Sequence, residues 1–93
     1  MILHHIQHSA SEDNALETCL RFAASKDSIL LSANSLYALL QPTWQNQLAE
    51  RTVYLLKEDV MARGLSTRLS NYNMIDYNEF ISQTLKHEKV ITW

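Results

Sequence analysis

Met74-Ile75-Asp76-Tyr77-Asn78-Glu79-Phe80-Ile81-Ser82-Gln83-Thr84-Leu85-Lys86-His87, running out through Val90-Ile91-Thr92-Trp93, decides the fold. The stretch reads as a short strand, a helix and a final strand. Tyr77, Phe80, Ile81, Thr84 and Leu85 fall at i, i+3, i+4, i+7 and i+8, one stripe of a 3.6-residue period. The stripe is expected to face the core, with Tyr77 and Phe80 buried in it. Asp76 stands where a carboxylate can accept from the first free backbone N–H groups, and Glu79 can reach back to complete a capping box. Lys86 and His87 close the helix, where its dipole favours positive charge.

Upstream, Asp27-Ser28-Ile29-Leu30-Leu31-Ser32 and Thr52-Val53-Tyr54-Leu55-Leu56 are apolar runs with little alternation, as in parallel strands covered on both faces. Ile2 to Gln7 reads as a further strand. Ser9-Ala10-Ser11-Glu12 has the capping-box pattern and predicts a helix to about Ala24, with Leu16, Cys19, Leu20 and Ala23 as its apolar stripe. A second helix is expected from about Ala33 to Leu40, stopped by Pro42, and a short one from Trp44 to Glu50. Glu58 to Arg63 makes another, and Gly64, the only glycine, stands where a C-cap needs positive φ. Leu65 to Asn73 is polar and reads as a loop. Strands alternating with helices imply one α/β domain over residues 1–93, a three-layer sandwich around a mostly parallel sheet of about five strands. In such sheets sites gather at the carboxyl ends of strands, here near Ser9, Ser32, Lys57 to Asp59 and Asp76.

Composition narrows the function. With 46% hydrophobic residues in 93, apolar side chains are abundant for so small a core, which points to a partner surface. Net charge is −2, and the eight Lys and Arg are scattered, which argues against direct nucleic-acid binding. One cysteine cannot form an internal disulfide, so a reducing cytoplasm is the expectation. No apolar run reaches the ~20 residues of a membrane span, and the N-terminus lacks the basic region of a signal peptide. His4, His5 and His8 lack helical spacing and a nearby acidic ligand, so no metal is expected; one buried, hydrogen-bonded histidine and two solvated ones is the simpler reading. A glycine-rich phosphate loop is missing, so no nucleotide cofactor is expected either.

Cys19 has two readings: a small core residue on the apolar stripe, or a reactive thiol. Reaction would need exposure and a lowered pKa, and neither Arg21 nor Lys26 lies at the helical spacing to supply it. Glu58 and Asp59 read as a solvated helix start, with Arg63 a candidate interface arginine. Asp76 reads as a cap first and an interface contact second. Trp93, an aromatic at the chain end, is the stronger interface candidate.

Ile75-Asp76-Tyr77-x-x-Phe80, then Thr84-x-Lys86-His87, then terminal Trp93, resembles the C-terminus of the TusB/DsrH family of small sulfur-relay subunits. Leu56-x-Glu58-Asp59-Val60-x-Ala62-Arg63-Gly64-Leu65 is similar to the family's middle block, and Leu3-His4 with Ser9 to its opening. Ser32 to Arg51 carries little of the likeness. The resemblance implies a DsrE/DsrF/DsrH-like fold and a heterohexamer with two related small subunits, of the C/F and D/E types. It implies a role in passing persulfide sulfur toward 2-thiolation of the tRNA wobble uridine, mainly as the partner of a cysteine-bearing subunit and without catalysis of its own. The alternative it leaves open is a DsrH-type subunit for sulfur oxidation, with Cys19 in Leu16-Glu17-x-Cys19-Leu20 carrying the sulfur. An isolated chain would self-associate through surfaces meant for its relatives.

Overall fold

The apolar runs become strands because each buries both of its faces. In the computed structural model, which describes residues 1–93, β1 spans Ile2–Ile6, β2 Ser28–Leu31, β3 Thr52–Leu56, β4 Asn73–Ile75 and β5 Lys89–Thr92. Helices α1 (Ala15–Phe22), α2 (Pro42–Leu48), α3 (Lys57–Ala62) and α4 (Tyr77–Lys86), with a 3₁₀ helix over Ala33–Leu40, make the connections. The sheet order is β4-β3-β2-β1-β5 and every pair is parallel. The steps from β1 to β4 all move one way, whereas β4 to β5 crosses the whole sheet back. Right-handed crossovers therefore put α1, the 3₁₀ helix, α2 and α3 on one face and α4 alone on the other.

The core divides accordingly. Ile6, Ile29, Leu31 and Leu55 of the sheet meet Leu16 and Cys19 of α1, Leu36 and Leu39 of the 3₁₀ helix, Leu48 of α2 and Val60 of α3 in one large cluster. Under α4 lies a small one of Leu3, Leu30 and Ile75, with Tyr54 and Phe80 packed on it. β2 is buried at all four positions, the signature of a central parallel strand.

Three local expectations need correction. The first helix begins at Ala15, not after Ser9. Ser9 Oγ bonds Ser11 through its hydroxyl and its N–H, making a local turn, while the Glu12 carboxylate accepts from Asn34 Nδ2 at 3.2 Å. Both arms of the expected capping box are engaged elsewhere, and such local bonds compete with a helix. The polar stretch after Gly64 hides two core residues: Leu65 and Leu69 are buried, four apart, in a helical turn closed by Leu69 N–H on the Leu65 carbonyl.

The largest correction concerns α4. Phe80, Gln83, Thr84 and His87 turn toward the sheet, none fully buried except His87, while Tyr77, Ile81 and Leu85 are 57%, 49% and 82% exposed. Tyr77 is thus not core, and Phe80 is only half-buried. Polar contacts set the rotation. His87 Nδ1–H donates to the Gln83 carbonyl and its Nε2 meets the Ser28 hydroxyl at 2.9 Å, pinning the helix end to β2. At the other end, Tyr77 N–H donates to Glu58 Oε2. The expected cap is present: Asp76 accepts from Glu79 N–H at 2.8 Å and Glu79 returns the bond. Gly64 has φ +66°, as its C-terminal position requires. Pro42 both ends the 3₁₀ helix and opens α2 at its first turn, where its missing N–H costs nothing.

Candidate functional site

Neighbouring residues of β1 point to opposite faces, so His4 and His5 serve two different environments. His4 enters the large-core side and is fully buried. Trp93 Nε1–H donates to His4 Nδ1 at 3.0 Å, which leaves Nε2–H to donate to Asp27 Oδ2 at 2.9 Å. Asp27 also accepts from the N–H groups of Ile2 and Ala24. Burial pushes the Asp27 carboxyl up, but the His4 and backbone hydrogen bonds outweigh it and hold the group down at about 2. The result is a buried, fully satisfied latch joining β1, the start of β2 and the last residue of the chain. The Trp93 ring also packs on Phe22 of α1 at a centroid distance of 5.8 Å. Trp93, expected to await a partner, is in large part occupied within its own chain.

Cys19 is fully buried among Leu16, Leu39 and the rest of the large cluster. Burial pushes its thiol up to about 11; Arg51 opposes this and Asp27 adds to it. The guanidinium of Arg51 lies across the end of α1, donating to the carbonyls of Leu20, Ala23 and Ala24. It serves there as a helix C-cap. A thiol held this way is mostly un-ionised at neutral pH and has no path to a reaction partner.

At the carboxyl edge of the sheet, several expected positions do come together. His5 Nε2 and Ser32 Oγ are 2.7 Å apart, and burial lowers the His5 pKa while Asp59 opposes the shift. Asp59 Oδ2 accepts from Ala33 N–H at 2.7 Å, holding Ala33 at φ +50°, a left-handed conformation costly for alanine. Arg63 donates to Asn34 Oδ1 at 3.2 Å, and Asn34 reaches Glu12. Asp76 is used as the α4 cap. Ser9 takes no part in this web. The groups satisfy one another, and no buried side-chain polar atom is left without a partner. The widest cleft, about 500 Å³ and lined by Glu17, Leu20, Arg21, Trp44 and Gln47, lies between α1 and α2, away from this edge.

Asp27 and Arg51 escaped the sequence reading, because all their partners but one, the Ala24 N–H three residues before Asp27, stand 23 to 31 residues away and carry no local spacing signal. The third unexpected feature is the exposed row of Tyr77, Ile81 and Leu85 on α4.

Residues 8–90 match the family described as DsrH like protein. The chain belongs to the DsrH family. Among DsrH-family relatives, Protein TusB of Buchnera aphidicola is 34% identical over 99% of this chain and 100% of its own. Protein TusB of Yersinia pestis is 32% identical over the same shares. The solution NMR structure of protein Tm0979 from Thermotoga maritima superposes with a TM-score of 0.69 at 27% identity, covering 95% of both chains. The DsrH-like α/β sandwich read from the sequence is the fold observed. Family membership makes this chain a sulfur-relay subunit. No helix is long and apolar enough to cross a membrane.

Proposed function

We propose that this chain is the non-catalytic subunit of a cytoplasmic relay that passes persulfide sulfur toward 2-thiolation of the tRNA wobble uridine. Its work is to hold two related small subunits, one of which bears the persulfide cysteine. The observation that carries this reading is the state of Cys19, the only thiol, buried completely and raised to about 11. A sulfur carrier must present a thiolate to donor and acceptor in turn. An inaccessible thiol supports placing that step on a partner. The exposed apolar row of α4 supports a docking role, and the net charge of −2 supports leaving tRNA to another protein. Sulfur carriage by Cys19 itself, as in a sulfur-oxidation complex, would need α1 to lift from the sheet at each transfer.

The test replaces the chromosomal copy with a tagged Cys19→Ala chain and measures both what co-purifies and the 2-thiouridine content of tRNA. Two small related subunits in equal amounts, with thiolation intact, is the expected result. Loss of thiolation with the complex intact would move the chemistry onto Cys19. Recovery of the chain alone would remove the relay reading.

A further inference from the structure

The start of β4 leaves a corner of the sheet open. Its first residue, Asn73, pairs with Tyr54, the third residue of β3, so Thr52 and Val53 run past it with no strand on that side. α2 ends beside this overhang at Leu48, and the chain turns through Arg51 into β3. A cleft of about 310 Å³ remains there, with Arg51, Val53 and Leu48 on one side and Asn71, Tyr72 and Asn73 on the other. Ligand pockets begin at about this size, roughly 300–1,000 Å³.

Arg51 is the only charged residue lining the cleft. Its guanidinium carries five N–H donors in a fixed plane. Nη1 and Nη2 donate to the carbonyls at the end of α1, while Nε–H has no partner in the chain. Arg51 is half-buried and no buried side-chain polar atom lacks a partner, so Nε is open to solvent. The guanidinium is therefore held still through one part of its plane while a donor stays free on another. A donor fixed in advance loses little freedom on binding. Glu50, its neighbour in sequence, lines a separate hollow with Ser25, Gln47 and Arg51, and no acidic group lines this cleft. In the wider cleft between α1 and α2, by contrast, Arg21 is already paired with Glu17 at 2.8 Å. The amides of Asn71 and Asn73, both exposed, add donors at the rim. Val53 and Tyr72 are half-buried against the large core cluster and make an apolar floor.

We propose that this cleft binds a small organic oxyanion, a carboxylate or a phosphomonoester, with its charged head on Arg51 and the rim amides and its apolar body on Tyr72 and Val53. The planar donor edge of a guanidinium fits the paired oxygens of either head. A cation would be repelled by Arg51, and a neutral molecule would leave its charge unmatched. The floor selects an anion with an apolar body over a bare inorganic ion. This site goes beyond the relay reading and does not rest on it.

The test titrates the purified, ¹⁵N-labelled chain with sodium benzoate, phenyl phosphate and benzyl alcohol, one ring with three heads, and follows binding by NMR. Both anions are expected to saturate at roughly 1–10 mM, the range for probes this small. They should move the Arg51 Nε–H signal together with those of Asn71 to Asn73. Benzyl alcohol should bind at least about tenfold more weakly. Tighter benzoate identifies the head as a carboxylate, and tighter phenyl phosphate as a phosphate. Asn71→Asp, exposed and nearly isosteric, places a carboxylate in the cleft and should weaken both anions about tenfold with the thermal midpoint unchanged. Arg51→Lys, which keeps the charge but loses the planar edge, should weaken them as well. Arg51 also caps α1, so Asn71→Asp carries the test if Arg51→Lys does not fold. Glu17→Gln, in the other cleft, should leave both affinities unchanged. No saturation by either anion up to about 50 mM, equal binding of benzyl alcohol, or indifference to Asn71→Asp would each overturn the proposal. The cellular co-purification tests the relay reading separately, so the two can fail independently.

Discussion

Asp27→Asn is the sharpest test of the latch that ties β1, β2 and Trp93 together. The native carboxylate is 4% exposed and takes three hydrogen bonds: Ile2 N–H and His4 Nε2–H at 2.9 Å and Ala24 N–H at 3.1 Å. Holding a carboxyl at about 2 rather than 3.8 contributes about 2 kcal/mol of stability at neutral pH. Because the folded value is the lower one, that contribution is complete above about pH 4 and is lost as pH falls from about 4 toward 2. Asparagine keeps one acceptor for Ile2 but turns an amide N–H₂ toward two donors. His4 cannot relieve the clash by moving its proton to Nδ1, because that atom already accepts from Trp93. One buried donor left unpaired adds about 1–3 kcal/mol. Asp27→Asn should therefore cost about 3–5 kcal/mol, the range for breaking a buried pair, out of the 5–15 typical of a whole domain. Urea unfolding at pH 7 followed by far-UV circular dichroism measures the loss, and the thermal midpoint should drop by about 15–25 °C. Repeating the urea series from pH 5 to 2.5 should show a steeper acid-dependent loss in the native chain than in the variant, where Glu88, held low by the N-terminal ammonium, still titrates. A cost under about 1 kcal/mol at pH 7, or an equally steep acid loss in the variant, would refute the latch.

The thiol of Cys19 should resist an aromatic disulfide reagent in native buffer at pH 7 and react at once in denaturant; rapid native labelling would contradict its burial. Leu69→Ala, at a site that reads as loop, should cost about 2–5 kcal/mol in urea unfolding, whereas an exposed loop leucine would cost almost nothing. Gly64→Ala should cost about 1–2 kcal/mol: no atom lies within 4 Å of the added methyl, so the loss measures only the left-handed backbone.

The legible parts of this protein were those carried by short-range patterns. The capping box at Asp76 and Glu79 involves residues three apart, and the positive φ at Gly64 is a local demand, so both could be read directly. The apolar runs of β2 and β3 needed no partner to be recognised, since burial on both faces removes alternation from the strand itself. Ser9 and Glu12 show the limit of such patterns. They have the right spacing, yet a nearer hydroxyl and a distant asparagine outcompete the helix for their hydrogen bonds. Leu69 was hidden by its polar neighbours, because one pair at helical spacing with Leu65 is too short a pattern to stand out from a polar stretch.

The sequence by itself determined the α/β class, the order of strands and helices, most of their boundaries, and the likeness to the DsrH family. These follow from patterns within some ten residues of chain, or from the words of the sequence themselves. Only the tertiary structure decided which side of α4 faces the sheet, that Cys19 is sealed, and that Trp93 is tied to His4. The reason is the same in each case. Hydrophobic periodicity says that a helix has an apolar side but not whether the fold has room for all of it. On α4 the bonds of His87 to Ser28 and of Glu58 to Tyr77, made across 59 and 19 residues, set the rotation and left Tyr77, Ile81 and Leu85 facing outward.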